Sequence, residues 1–442
     1  MNRYSEILPL LPVSTALNSA GKMEIAGHDL SKLVEQYDSP LYVYDAETIC
    51  AQVSTIQELF TCYPGEWEIT YAGKAYFSLG MARKINAMGL GVDVASLREL
   101  LMAQRAGFAP ERVHLHGNNK SLEALTLALE WGIHSIVVDS LDEMEFLTEI
   151  AAKLGKVARI WLRITPGMEI DNVHPYMQTG SSFSKFGLSA LDGTAVQAIR
   201  RAKINPWLNL TGLHMHLGSQ IYFGDPFRNA IKMLVEIAER EGIVPTEISP
   251  GGGWGQPYTP EQLRSSRPVS DWIHAVCSGI NDEFGQRGWP LPKVVIEPGR
   301  FLVARAGVAL YRVGTTKFGS DGTYFVAVDG GMADNPRPAL YTAQYTAVMV
   351  DYPEAEPVYH THIVGKFCES GDELIKGIMM PKVRRWDLMA IPVAGAYQLS
   401  MSSNYNMAPR PCVLWLEKDR VEVLQKRESP ELSGWWVSGE AE

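Results

Sequence analysis

The chain is poor in cysteine. Five residues, Cys50, Cys62, Cys277, Cys368 and Cys412, are scattered over a length of 442. Their number is odd and none forms a CxxC pair, which speaks for a reducing compartment and against structural zinc. A strongly basic tract is also missing, and the formal net charge is −10. Nucleic acid is therefore not expected as the main partner. A small charged substrate is not excluded, because one pocket can differ from the total. No apolar run of about 18 residues is there to span a membrane. The opening "MNRYSEILPLLPVSTALNS" has a short apolar run broken by prolines and makes a poor signal peptide. The expectation is a cytoplasmic protein without a membrane partner.

What remains is an ordinary globular balance, 46% hydrophobic and 20% charged, with ample material for a large core. Short strand-like runs alternate with amphipathic stretches. The runs are "WEITYAGKA", "GVDVAS", "RVHLHGNN", "HSIVVDS", "ARIWLRIT", "NLTGLHMHLGS", "TEISPGGGW" and "KVVIEPGR". Helix candidates such as "LRELLMAQRAG" and "LDEMEFLTEIAAKLG" lie between them. Ser96 with Glu99 and Ser140 with Glu143 have the S-x-x-E spacing of a capping box. Strand–helix–strand repetition means parallel pairing through crossovers. Eight such runs close a (β/α)8 TIM-type barrel; a doubly wound open sheet is the alternative. After about residue 311 the rhythm becomes short β-like runs separated by turns. The expected organisation is a segment 1–42, a barrel over 43–311 and a mostly β domain over 312–442 that also takes in the N-terminal segment.

Unusual residues recur at the C-terminal ends of the runs, where barrels carry their chemistry. Lys74 is the only charge in "ITYAGKAYFS". It is either a lysine snorkelling to solvent or a desolvated amine of lowered pKa, ready to condense with a carbonyl. His114 and His116, like His214 and His216, form H-x-H pairs that suit a metal or a stacked aromatic ligand. With no obvious acid completing a shell, no metal is expected. Gly251, Gly252 and Gly253 let backbone amides approach a phosphate, or simply make a tight turn. Glu297 can bond a ring nitrogen, and Arg300 a phosphate or carboxylate. Ser219 adds a hydroxyl. Cys368 and Glu369 fall in the polar "KFCESGDEL", which favours an accessible thiol.

Taken in order, "YAGKA", "GVDVAS", "HLHGNNKS", "HMHLGSQI", "GGGWG", "EPGR", "CESGDEL" and "GAYQLSMSSNYN" resemble the fold-type III pyridoxal-phosphate decarboxylases. The resemblance runs from about residue 40 to about residue 425. It implies an alanine-racemase-like barrel with a β domain, and pyridoxal 5'-phosphate as cofactor. Lys74 would hold the cofactor covalently. Asp93 would lie close to it and His216 would stack on its ring. Ser219, Gly251 to Gly253, Pro298, Gly299, Arg300 and Tyr397 would hold it, and Glu297 would keep the ring nitrogen protonated. Arg300, Arg337, Tyr341, Glu369 and Tyr397 would bind the substrate. Cys368 would return a proton to the reacting carbon, reaching with Glu369 from the partner subunit of a homodimer. Within the family the implied substrate is meso-2,6-diaminopimelate, giving lysine and CO2. The alternative is another basic or carrier-bound amino acid. Gly73, Tyr76 and Trp254 depart from the family pattern, and Trp254 would reshape the pocket rim.

Overall fold

The computed structural model describes residues 3–170 and 174–429. By contacts the chain divides into two compact units. One runs from the N-terminal residues to Cys50, adds Pro257–Arg264 and resumes at Val303. The other holds Ala51–Gln256 and Ser265–Leu302.

The second unit is a closed parallel barrel. Its strands are β1 (Trp67–Ala72), β2 (Gly91–Val94), β3 (Val113–Leu115) and β4 (Ser135–Val138). They continue as β5 (Ala158–Thr165), β6 (Leu208–His214), β7 (Glu247–Gly251) and β8 (Lys293–Ile296). Each pairs in parallel with the next, and β8 returns to β1 in the register Val294–Trp67 and Ile296–Ile69. Closure leaves no sheet edge to protect. Val137, Trp161 and Val295, from β4, β5 and β8, fill the interior. The buried Trp161 indole donates through Nε1 to Glu247 at 2.8 Å, so its one polar group is satisfied.

Both capping boxes form, with a twist. Ser96 accepts from the Glu99 amide, and Glu99 reaches back to the Ala95 amide at 2.7 Å. Ser140 accepts from the Glu143 amide, and Glu143 reaches the Asp139 amide at 3.0 Å. In each case the acid satisfies the amide one residue before the cap.

The first unit is built on a nine-stranded, mostly antiparallel sheet. The N-terminal strand Leu41–Asp45 is central in it. It runs antiparallel to Gly307–Phe318 and parallel to Cys412–Glu417. Its fully buried pattern is that of an interior strand. The N-terminal segment therefore belongs to the β unit. Among the described residues, no helix is long and apolar enough to cross a membrane.

Candidate active site

The C-terminal ends of the barrel strands bring one group of side chains together. β1 stops at Ala72, so Lys74 lies not in the strand but in a short 3-10 turn, Gly73–Ala75. Its side chain is exposed, as in the solvent-reaching one of the two readings. The turn explains Gly73, because a Cβ there would lie 2.8 Å from the Asp93 carbonyl oxygen. The Gly73 amide donates to Asp93 Oδ1 at 3.2 Å. Asp93 is buried, and burial pushes its carboxyl up to about 6 against the pull of His116 and Lys74. Tyr76 is core: its backbone brackets the Tyr71 hydroxyl.

Glu297, after β8, is the electrostatic centre. His214 donates from Nε2 to Glu297 Oε2 at 3.1 Å, and Ser249 donates to Oε1 at 2.8 Å. His116 Nε2 lies 3.5 Å from Oε1. Burial alone would raise this carboxyl, but His214 and His116 hold it well below the usual carboxylate range. Burial also pushes His214 down to about 4. At neutral pH the pair is thus a carboxylate beside a neutral imidazole. His116, His214 and Glu297 present ligand atoms within 4.8 Å of one another, so one acid does complete a three-residue set of the kind that can hold a metal. The two H-x-H pairs separate in role. His114 turns to Ser135 at 2.8 Å and packs on Trp161.

The glycine turn sits beside this acid. A Cβ on Gly252 would lie 2.1 Å from the Glu297 carbonyl oxygen, and one on Gly253 2.0 Å from that of Gly218. Gly251 and Gly253 also take positive φ, 72° and 104°. The Gly252 amide donates to His216 Nδ1 at 3.4 Å, and the Gly251 amide to Ser249 Oγ at 3.1 Å. Burial pushes His216 well below its ordinary value, with the charges of Lys74 and Arg163 acting in the same direction. Arg300 is buried and donates from Nη2 to Ser219 Oγ at 2.9 Å. The Pro298 carbonyl accepts from the Ala72 amide, and Gly299 packs on Ala72 and Ala75. Trp254 does not shape a rim. It is buried against Trp272, with ring centroids 3.9 Å apart.

The remaining candidates lie in the β unit. Arg337 is only 3% exposed, donates to the Tyr345 hydroxyl and faces the Tyr258 ring at 4.9 Å. It opens the short helix Arg337–Tyr341, which ends on the partly exposed Tyr341. Cys368 and Glu369 are exposed on a loop, where the Cys368 amide donates to Asn406 Oδ1 at 3.0 Å. Tyr397 has φ 63°, rare for a residue with a side chain. Arg337 and Glu369 form no ion pair among the described residues. Sequence reasoning missed Ser249, His116 and His214 as partners of Glu297, and Arg163. Inward polar residues on neighbouring barrel strands were the available signal.

These residues fit pyridoxal 5'-phosphate. A carboxylate held ionised suits a protonated ring nitrogen. A turn with no room for side chains, next to Arg300 and Ser219, suits a phosphate. His214 Nδ1 is buried without a hydrogen-bond partner, as at a site that a ligand completes.

Known proteins agree. The pyridoxal-binding domain of the pyridoxal-dependent decarboxylases matches residues 46–304. A diaminopimelate decarboxylase of Halalkalibacterium halodurans is 36% identical over 419 residues, 94% of this chain and 95% of the relative. That of Bacillus subtilis is 38% identical over 418 residues, 94% of each. The crystal structure of diaminopimelate decarboxylase from M. jannaschii superposes with a TM-score of 0.87 at 31% identity, covering 94% of this chain and 95% of that one. The same enzyme in complex with L-lysine gives a TM-score of 0.85 at 30% identity, covering 94% and 96%. The chain belongs to the pyridoxal-dependent decarboxylases, among the diaminopimelate decarboxylases.

Proposed function

We propose that this chain removes one carboxylate of meso-2,6-diaminopimelate as CO2 and releases L-lysine, using pyridoxal 5'-phosphate. The observation that carries the reading is Glu297, a buried carboxylate hydrogen-bonded by His214 and Ser249 beside a glycine turn at the barrel mouth. The likeness to diaminopimelate decarboxylases over nearly the whole chain supports the choice of substrate.

When bound, the cofactor supplies a sink for the electron pair that departing CO2 leaves behind. The chain's residues do the rest. Lys74 Nζ holds the cofactor. Glu297 keeps a proton on the ring nitrogen, and the neutral His214 steadies Glu297 through its Nε2–H. His216 offers an imidazole face to the ring, and Asp93 lies close by. Ser219, Gly251, Gly252, Gly253, Pro298, Gly299, Arg300 and Tyr397 hold the phosphate end. Arg300, Arg337, Tyr341, Glu369 and Tyr397 bind the substrate. A guanidinium meets its distal carboxylate, and a carboxylate meets its distal ammonium. Ornithine and lysine lack that second carboxylate. Cys368 Sγ gives a proton to the carbon that lost CO2.

In this reading the enzyme is a cytoplasmic homodimer with shared sites. The loop of Cys368 and Glu369 supports this, since both side chains lie at the surface of their own chain. Purified protein is expected to carry the visible absorbance of the covalently held cofactor. Lys74→Ala is expected to lose it along with activity. Absorbance that survives dialysis in Lys74→Ala would remove Lys74 from its role.

A further inference from the structure

One loop of the β unit gathers hydrogen bonds from every segment to which a substrate-side role has been given there. The loop is 330–337, "GGMADNPR", and it ends on Arg337. Two buried aspartates fix it, 5% and 4% exposed.

Asp372 ties it to the cysteine loop. Its Oδ1 accepts from the Met332 amide at 2.6 Å, and its Oδ2 from the Phe367 amide at 2.8 Å. The Lys366 amide adds a bond to the Gly330 carbonyl at 3.1 Å. Cys368 and Glu369 stand directly beyond Phe367. The chain leaves room for this carboxylate by omitting two side chains. A Cβ on Gly331 would lie 2.5 Å from Oδ1, and one on Gly365 2.1 Å from Oδ2.

Asp334 ties the same loop to the segment of Tyr397. Its Oδ1 accepts from the Gly331 amide at 3.0 Å. Its Oδ2 accepts from the Tyr311 hydroxyl and lies 3.1 Å from the Tyr42 hydroxyl. Tyr42 in turn reaches Gln398 Oε1 at 2.8 Å, next to Tyr397. The Ser403 amide closes the circuit on the Ala333 carbonyl at 2.8 Å.

Two buried acids with full sets of donors are a costly way to build a core. Apolar residues of similar volume would serve stability as well or better. What such a network adds is fixed position. We propose that Asp334 and Asp372 are positioning residues, which through loop 330–337 hold Arg337, Cys368 with Glu369, and Tyr397 in one frame. The proposal rests on the roles given to those four residues under the proposed function. Asp372 acts on the proton donor, and Asp334 acts on substrate binding.

The test is steady-state turnover of meso-diaminopimelate by holoenzyme variants. Asp372→Ala is expected to lower kcat by about tenfold or more through misplacement of Cys368. Asp372→Asn, which keeps one acceptor, is expected to fall between it and the parent. Asp334→Asn and the milder Tyr311→Phe are expected to raise KM several-fold, with kcat less affected. A purely structural role would shift the melting temperature and leave both constants of the folded protein alone. Parent kcat and KM in Asp372→Ala and Tyr311→Phe would overturn the proposal. Should Asp334→Asn fail to fold, Tyr311→Phe decides that arm. Cys368→Ala and Arg337→Ala run alongside. If these keep parent constants, the underlying roles are wrong and the proposal falls with them. If they lose activity while the positioning variants do not, the proposal alone falls.

Discussion

Glu297 does its work because its neighbours are imidazoles and a hydroxyl that donate hydrogen bonds to it. The imidazoles of His214 and His116 offset the cost of burying a carboxylate, and the Ser249 hydroxyl occupies the second oxygen. Glu297→Gln removes the ion but keeps the shape. It is expected to lower kcat by about a hundredfold or more while the protein stays folded, as read by turnover and circular dichroism. Ser249→Ala removes one charge-assisted hydrogen bond to that carboxylate and is expected to cost about tenfold. The sequence made Lys74 and Glu297 visible, since each is a charge at the end of an apolar run. Ser249 was not visible as a partner, because Glu297 lies 48 residues away and only barrel closure brings them together. Trp254 was not legible as core for a related reason: its neighbour Trp272 comes from the later helix Val269–Gln286, which turns an apparent rim residue into core.

At the scale of elements, turns hold the site. Gly252 has no space for a Cβ beside the Glu297 carbonyl. Gly252→Ala is therefore expected to shed the cofactor and to melt several degrees lower, measured by absorbance and thermal unfolding. The buried Asp334 makes the β unit sensitive to pH. Burial raises its carboxyl from 3.8 to about 6, against the Tyr311 and Tyr42 hydroxyls and the Gly331 amide. The folded state thus binds this proton more tightly than the unfolded chain. The stability it contributes is full below about pH 4 and is lost as pH rises through about 6. The loss is on the order of 3 kcal/mol. Asp334→Asn cannot ionise, so its melting temperature relative to the parent is expected to climb across that window. A flat difference would contradict the assignment. The eight barrel strands were legible because each is a short apolar run between helices. The end of β1 was not. Side-chain alternation carries on to Lys74, whereas the backbone leaves the strand at Ala72 to pass close under Asp93.

For the whole molecule, the barrel could be counted from the sequence. So could the β unit with its N-terminal segment, although the expected boundary after residue 42 cuts the strand Leu41–Asp45, which lies wholly in the β unit. The networks centred on Asp334 and Asp372 could not, since they join residues from five separate stretches. The proposed dimer makes a claim that two inactive variants can test together. If Cys368 serves the partner's site, Lys74→Ala and Cys368→Ala subunits should complement. Half of a randomly reassorted mixture is heterodimer with one intact site, so about a quarter of parent activity is expected. No recovery on mixing would mean that each chain supplies its own cysteine. The central claim is tested most directly by turnover of purified holoenzyme on a panel of amino acids, with CO2 and product both measured. One L-lysine and one CO2 for each meso-diaminopimelate consumed, with ornithine, lysine and arginine turned over poorly, is the expected result. CO2 from those simpler amino acids and none from meso-diaminopimelate would contradict it.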